Sequence, residues 1–221
     1  MHTTATLLAL LGAAITSATP LGPLAPRQAD FSANTQNGLS GECKQMIVVF
    51  ARGTTEGGNV GTLAGPPFFQ SLATQVGGNL AVQGVEYPAD IPGFLAGGDA
   101  SGSQQMAQLT QQALANCPGS SVIMSGYSQG GQLVHNGAAM MPAESVAKVA
   151  GVVIFGDPLN GQPVQGVDAS KTMVICHNGD NICEGGNQIR RAHLTYRNDA
   201  DAAAQFAASM MAPPAAAPAA A

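Results

Sequence analysis

The stretch Val122-Ile-Met-Ser-Gly-Tyr-Ser-Gln-Gly-Gly131 carries the most informative pattern in this chain. The apolar run from Val122 to Met124 is typical of a buried strand. The pentapeptide Gly126-Tyr-Ser-Gln-Gly130 follows it, and the residues from Gln129 to Met141 read as a helix. The sequence therefore predicts a strand, then a sharp turn with Ser128 at its tip, then a helix.

A serine in this context is a candidate nucleophile. The pattern G-x-S-x-G between a strand and a helix is the nucleophile elbow, whose turn leaves no room for a Cβ at Gly126 and Gly130. Such a turn strains the serine backbone and raises its Oγ above the sheet. The helix N-terminus behind it offers free N–H groups and a positive dipole end. The alternative, an ordinary glycine-rich turn, is disfavoured by the flanking strand and helix.

The rest of the chain alternates apolar strands with amphipathic helices, which is typical of a parallel sheet covered on both faces. We predict an α/β fold: a three-layer α/β/α sandwich of the α/β-hydrolase type, with about five central parallel strands, no lid and no second domain. Residues 28–42 are expected to be a mobile lead-in, and residues 90–102 a loop. The predicted strands are 45–50, 81–87, 122–124, 149–155 and 171–176, and the predicted helices are 66–76, 101–117, 129–141 and 199–211.

The two ends of the chain are unlike its middle. Leu7 to Ile15 is a short apolar run followed by small residues, which is typical of an export signal and too short to span a bilayer. We expect a secreted, extracellular protein that acts as a monomer without integral membrane association. The predicted organisation is a signal peptide at 1–18, a proline-rich pro-segment or linker at 19–27, one catalytic domain at 28–211, and a disordered Ala/Pro tail at 212–221.

Composition excludes several classes of partner. Of the 221 residues only 10% are charged, the formal net charge is −5, and no cluster of Lys or Arg occurs. A nucleic-acid or anionic-membrane partner is therefore not expected.

The four cysteines are Cys43, Cys117, Cys176 and Cys183. They permit three pairings, of which Cys176–Cys183 is the natural local bridge and would leave Cys43–Cys117. A metal site built on Cys176, His177 and Cys183 is the alternative, which an oxidising export route disfavours. We expect no metal and no cofactor.

A nucleophilic serine needs a base to take its proton and a carboxylate to orient that base. His135 lies about two helical turns beyond Ser128 and is interpreted as a helix-surface residue. His177 is possible but cramped beside Cys176, whereas His193 follows a long loop after the last strand. We therefore predict His193 as the base.

The acid should lie between Ser128 and His193, because the chain order on such sheets is serine, acid, histidine. Asp157 and Asp180 both follow strands, where catalytic groups collect. Asp157 precedes a proline and is interpreted as a turn residue. Asp180 is preferred, since a Cys176–Cys183 bridge would hold its loop. The full set of candidates is Glu144, Asp157, Asp168, Asp180 and Glu184.

The negative charge that forms on a substrate oxygen needs hydrogen-bond donors. The backbone N–H of Gln129 is one expected donor, and Thr54 in the glycine-rich loop after the first strand is the second. Arg52 and Glu56 in the same loop are interpreted as a local ion pair that shapes it.

Four stretches are specific in combination: Ala51-Arg-Gly-Thr-Thr-Glu-Gly-Gly-Asn59, Gly126-Tyr-Ser-Gln-Gly130, Cys176-His-Asn-Gly-Asp-Asn-Ile-Cys183 and Ala192-His-Leu-Thr-Tyr196. In this order, and with the four cysteines, the chain resembles the fungal cutinases over residues 40–208. The resemblance implies a triad of Ser128, Asp180 and His193, an oxyanion hole at Thr54 and Gln129, and the bridges Cys43–Cys117 and Cys176–Cys183. It also implies a lidless esterase acting on cutin, the plant-surface polyester.

One departure from that family lies beside the predicted base. The positions before the histidine are usually apolar there, but here they are Ile189-Arg190-Arg191. Short connections after the fourth strand and before His193 leave no room for a lid, so we expect an open groove. Its predicted substrate-binding residues are Ile91, Phe94, Leu95 and Ile189. The alternatives are an acetylxylan esterase of the same fold and a non-catalytic surface-binding relative; a serine peptidase is less favoured.

Overall fold

The structure, a computed structural model, describes residues 30–211. The predicted signal peptide, the pro-segment and the Ala/Pro tail lie outside the described residues. The described chain contains a five-stranded sheet in the order β2-β1-β3-β4-β5, and every neighbouring pair is parallel. The predicted α/β sandwich with five parallel strands is thereby confirmed. The strands are β1 Met46–Ala51, β2 Leu80–Gly84, β3 Ser121–Tyr127, β4 Gly151–Phe155 and β5 Thr172–Ile175.

Helices cover both faces of this sheet, which explains why its strands read as continuous apolar runs. In β1, Met46, Val48 and Phe50 face a core shared with α1 and α6, whereas Val49 and Ala51 face α3 and α4. No helix within residues 30–211 is long and apolar enough to cross a membrane. The helices are α1 Gly65–Gln75, α2 Ile91–Leu95, α3 Ala100–Asn116, α4 Gln129–Met140, α5 Ala143–Val146 and α6 Ala200–Ser209.

Two segments differ from the prediction. The predicted loop after β2 contains α2, which Asp90 caps by accepting a hydrogen bond from the Gly93 N–H at 2.8 Å. Pro92 favours a loop when the sequence is considered alone, but proline is well tolerated in the first turn of a helix, where it lies here.

The expectation of a mobile lead-in is wrong for residues 30–42. The Gln36 N–H donates to Asn59 Oδ1 at 2.8 Å, and Asn59 Nδ2 donates back to the Gln36 carbonyl at 3.1 Å. Asn37 also forms an isolated bridge with Gln83 beside β2. A polar, irregular segment is therefore held by side-chain hydrogen bonds that its own composition does not reveal.

Both expected disulfides are present. Cys43 is bonded to Cys117 across 74 positions, and Cys176 to Cys183 across 7. The first joins the segment before β1 to the end of α3, and the second closes the loop after β5.

Replacing Cys43 and Cys117 together by serine should lower the free energy of unfolding by about 4 kcal/mol, because the bridge closes a long loop in the unfolded chain. Urea unfolding of the variant and the parent protein measures this difference. The far-UV circular dichroism spectrum at 25 °C serves as the control and should stay unchanged. An unaltered unfolding midpoint would show that this bridge contributes nothing to stability.

Candidate active site

Ser128 lies at the tip of the turn between β3 and α4. Its backbone has φ 56° and ψ −121°, a strained conformation for a residue with a side chain. A Cβ at Gly126 would overlap the Gly130 carbonyl, and one at Gly130 would overlap the Ala51 carbonyl of β1. The two glycines are therefore required by the close approach of the turn, as the sequence predicted.

Three side chains chosen from the sequence meet at the carboxyl edge of the sheet. His193 Nε2 lies 2.9 Å from Ser128 Oγ, and His193 Nδ1 lies 2.8 Å from Asp180 Oδ2. Ser128 is 4% exposed, and Asp180 and His193 are each 1% exposed. The structure thus brings together a hydroxyl, an imidazole and a carboxylate in the order that activates a nucleophile.

Asp180 is held from several sides. Its Oδ2 accepts from the Tyr196 hydroxyl at 2.5 Å, and its Oδ1 accepts from the Ile182 N–H at 3.0 Å. Burial alone would raise the pKa of Asp180, but the hydrogen bonds from Tyr196 and His193 outweigh it, so its pKa is lowered. The carboxylate therefore stays ionised beside the imidazole.

His193 sits in a short 3-10 turn, Arg191–Leu194, and is fixed by a tyrosine of the elbow. The Tyr127 hydroxyl donates to the His193 carbonyl at 2.7 Å, and the two rings stack with their centroids 5.1 Å apart. Burial raises the pKa of Tyr127, so its hydroxyl remains a donor. Gly156 has φ 59°, and a Cβ there would lie 2.9 Å from His193 Cε1.

Sequence reasoning missed the roles of Tyr127 and Tyr196. Both lie inside stretches that were already informative, Tyr127 next to Ser128 and Tyr196 three residues after His193. Their position beside Ser128 and His193 was the sequence feature that could have indicated a role in the site. Their contacts join segments far apart in the chain, however, which no local pattern reveals.

Thr54 and Gln129, the predicted oxyanion residues, contact each other. Gln129 Nε2 donates to Thr54 Oγ1 at 2.8 Å and to the Asp90 carbonyl at 2.9 Å. Because Thr54 Oγ1 already accepts a hydrogen bond, its own hydrogen is free to point elsewhere. The Gln129 backbone N–H is the first of α4, where N–H groups lack partners within the helix.

The loop that carries Thr54 is shaped differently from the prediction. Arg52 Nε donates to the backbone carbonyl of Glu56 at 2.7 Å, and Arg52 Nη2 donates to the Tyr87 carbonyl at 2.6 Å. The Glu56 carboxylate instead accepts from backbone N–H groups, those of Gly53 and Thr62 at 2.8 Å and of Leu63 at 3.0 Å. The prediction of an Arg52–Glu56 ion pair is wrong, because the Glu56 carboxylate accepts hydrogen bonds from backbone N–H groups of the loop instead.

An apolar cleft of about 460 Å³ opens next to Ser128. All four predicted substrate-binding residues line it, and three are well exposed: Ile91 by 59%, Leu95 by 65% and Ile189 by 59%. Exposed aliphatic side chains at the rim of a cleft mark a binding surface for an apolar partner. The lining is Thr54, Thr55, Glu56, Leu63, Ile91, Phe94, Leu95, Tyr127, Ser128, Asn187, Ile189, His193 and Leu194.

His135 does not lie on the helix surface as predicted. It is 8% exposed, and its Nε2 lies 2.9 Å from Oδ2 of the fully buried Asp157. Asp157 also accepts from the Leu159 N–H at 2.9 Å, which is the turn role expected of it. The prediction failed because the face of α4 that carries His135 packs against the turn after β4.

The other candidates are engaged elsewhere. His177 pairs with Asp199, and its two neighbouring cysteines form a disulfide, so they present no shared set of metal ligands. Asp168 caps a short turn through the Ser170 N–H at 2.7 Å, and Glu184 lies 3.8 Å from Arg190.

Comparison with known proteins agrees with this geometry. A protein-family model described as Cutinase matches residues 42–211. The chain is 56% identical over 165 residues to a cutinase of Botryotinia fuckeliana, covering 74% of this chain and 82% of that protein. It is 45% identical to the solved structure of Trichoderma reesei cutinase in complex with a phosphonate inhibitor, with a TM-score of 0.78 and 82% of each chain covered.

A second solved structure shows how far fold alone extends. The structure of an acetylxylan esterase matches 77% of this chain over 100% of its own length, with a TM-score of 0.61 but only 20% sequence identity. This likeness shows the shared fold and does not favour that activity. The family model and the high-identity relatives do distinguish the two, and the chain therefore belongs to the cutinase family of carboxylic-ester hydrolases.

Proposed function

We propose that Ser128, His193 and Asp180 form the catalytic triad of this esterase. The observation that carries the proposal is the unbroken pair of contacts from Ser128 Oγ through His193 to Asp180, at 2.9 and 2.8 Å. Ser128 Oγ attacks the ester carbonyl carbon while His193 Nε2 takes its proton. His193 then protonates the leaving alcohol, and an acyl-enzyme remains on Ser128.

Water completes the cycle. His193 Nε2 removes a proton from the attacking water, the second tetrahedral intermediate collapses, and Ser128 Oγ regains its proton as the acid product leaves. Asp180 keeps the Nδ1–H of His193 directed toward itself and stabilises the imidazolium that forms. In each half-reaction we assign the oxyanion to the Gln129 N–H and the Thr54 hydroxyl.

Replacing Thr54 by valine should reduce kcat roughly 10²- to 10³-fold with little change in KM, since the lost hydroxyl acts mainly on the transition state. Initial rates with a p-nitrophenyl ester measure this effect. Thr54→Ser is the matched control, because it restores a hydroxyl that accepts from Gln129 and should recover most of the rate. A valine variant as fast as the parent would remove Thr54 from the oxyanion hole.

The pH dependence should show a single acidic limb. The pKa of Asp180 is lowered in the folded state. The ionised carboxylate therefore stabilises the fold at pH values above the ordinary carboxyl range, and this stabilisation is lost only as the pH falls through that lowered value. Because Asp180 stays ionised above that value, loss of rate between about pH 7 and 4 should follow a single proton. Plots of log kcat/KM against pH test this, and a slope of two protons across that range would contradict it.

We also propose that the natural substrate is a bulky polyester such as cutin, in keeping with the names of the relatives. The exposed aliphatic rim beside Ser128 supports this, because a serine under an open apolar cleft suits esters held in a solid surface. Rates across acetyl, butyryl and longer esters, ending with cutin, form the test. A strong preference for acetyl and no release from cutin would favour an acetylxylan esterase instead.

Secretion and monomeric state are proposals as well. Two disulfides within residues 30–211 support an oxidising compartment. N-terminal sequencing of protein from culture medium should show a start after residue 18, and light scattering should give the mass of one chain. Retention of the protein inside the cell, or a dimeric mass, would overturn the corresponding proposal.

A further inference from the structure

A third histidine–aspartate pair, His177 and Asp199, lies next to the segments of the proposed triad. His177 Nε2 is 2.7 Å from Asp199 Oδ2, and His177 Nδ1 is 2.9 Å from the Ala192 carbonyl oxygen. The two side chains are each 25% exposed. His177 lies in the loop that carries Asp180, Ala192 directly precedes His193, and Asp199 directly precedes α6. One imidazole thus joins three segments around the site.

The two partners of this ring both accept hydrogen bonds. A backbone carbonyl can only accept a hydrogen bond, and an ionised carboxylate also only accepts. Donation from both nitrogens of His177 satisfies the two partners at once, and a ring with hydrogen on both nitrogens is an imidazolium. Thr195 agrees with this arrangement, since its hydroxyl donates to the Ala192 carbonyl at 3.0 Å and its oxygen lies 3.1 Å from Nδ1.

The ring also supports the tyrosine that holds the acid. His177 stacks on Tyr196 with the centroids 4.2 Å apart and the planes 20° apart. The backbone N–H of His177 donates to the Tyr196 hydroxyl at 3.1 Å, and that hydroxyl donates to Asp180 Oδ2. A hydroxyl that accepts one hydrogen bond becomes a better donor in the next. A cation lying over the ring adds a favourable cation–π contact.

We propose that His177 is a positioning residue for the reaction, held as an imidazolium by Asp199. Through the Ala192 carbonyl it fixes the backbone beside His193, and through Tyr196 it fixes the carboxylate of Asp180. The proposal rests on the triad proposed above. The titratable groups that contact its ring are Asp199 and Tyr196; Asp180 lies beyond the Tyr196 hydroxyl, and His193 lies beyond the Tyr196 ring at 6.0 Å between centroids.

Removing this ring should affect kcat rather than KM. His177→Gln removes the ring contacts to Asp199 and to the Ala192 carbonyl, so His193 and Asp180 are held less firmly. Small displacements of a catalytic group typically cost roughly 10- to 100-fold in rate. KM for a small soluble ester should change little, because His177 does not line the cleft. The acidic limb of kcat/KM should also move to higher pH, because a positive charge near the triad is gone.

His135→Gln is the matched control. His135 forms a more deeply buried pair with Asp157 at 2.9 Å, and neither residue belongs to the segments that carry His193 or Asp180. Its substitution should lower the unfolding midpoint and leave the acidic limb where it is. If His135→Gln and His177→Gln changed kcat and the pH profile equally, the loss of rate in His177→Gln would come from general destabilisation of the fold. That result would overturn the proposal.

Nitrogen-15 NMR of the histidine rings tests the protonation directly and does not depend on the triad. In the parent protein both nitrogens of His177, assigned by loss of its signals in His177→Gln, should be protonated from pH 6 to 8. In Asp199→Asn the ring should lose one hydrogen in that range and kcat should fall. A neutral His177 in the parent overturns this inference but leaves the triad untouched, whereas failure of Ser128 to react with a phosphonate overturns the triad alone.

Discussion

Alanine at position 128 is expected to lower kcat for ester hydrolysis by roughly 10⁵-fold while leaving the protein folded. The Ser128 hydroxyl is the atom that His193 Nε2 contacts at 2.9 Å, so its removal leaves the imidazole without a nucleophile to activate. Alanine fits the same strained turn, because it is smaller than serine and the flanking glycines are retained. Initial rates with a p-nitrophenyl ester and circular dichroism measure the two outcomes.

Ser125 in β3, three residues before Ser128, provides a matched control. Its hydroxyl donates to the Val153 carbonyl at 2.7 Å in a fully buried setting. Ser125→Ala should cost about 1 kcal/mol of stability and keep the parent rate. A phosphonate should label the parent protein and Ser125→Ala at Ser128 but leave Ser128→Ala unlabelled. Turnover above background in Ser128→Ala would refute the assignment of the nucleophile.

Asparagine at position 180 should lower kcat by roughly 10⁴-fold. An amide NH₂ facing His193 Nδ1 would donate to it, which forces the ring hydrogen onto Nε2. Nε2 then cannot accept the proton of Ser128, although the geometry is almost unchanged. Rates at neutral pH measure the loss. The Tyr196 hydroxyl donates to the same Oδ2 and would lose its acceptor, so thermal unfolding should also show a lower midpoint.

The same substitution at Asp157 separates catalysis from stability. Asp157 is as deeply buried as Asp180 and also pairs with a histidine, but that histidine is His135. Asp157→Asn should destabilise the fold while keeping kcat within a few-fold of the parent. If the two asparagine variants lost activity to the same degree, Asp180 would have no special place in the reaction.

The sequence was sufficient for the fold and for the candidate site residues. Strands buried on both faces have a simple apolar signature, and the elbow requires glycines at fixed distances from Ser128. The chain order serine, acid, histidine then reduced the choice to few residues. Of the three side chains selected in this way, Ser128 and Asp180 each lie within hydrogen-bonding distance of His193.

Errors arose where a contact joins segments that are distant in sequence. His135 was assigned to the surface because the sequence does not show which part of the chain covers α4. The segment 30–42 was expected to move because nothing local indicates that Asn59 binds it. Glu56 was paired with the nearest cation because the competing backbone amides become neighbours only in the folded loop.

Short-range patterns thus specified the strands, the elbow and the identity of the reacting groups, since each depends on residue spacing within one segment. The supports of the reacting groups depend on the strand order β2-β1-β3-β4-β5 and on loops that meet at its carboxyl edge. Tyr127 reaches His193, Tyr196 reaches Asp180, and His177 reaches Asp199 only after the sheet has formed. Hydrogen bonds of this kind are defined by distances in space, so only the tertiary structure decides them.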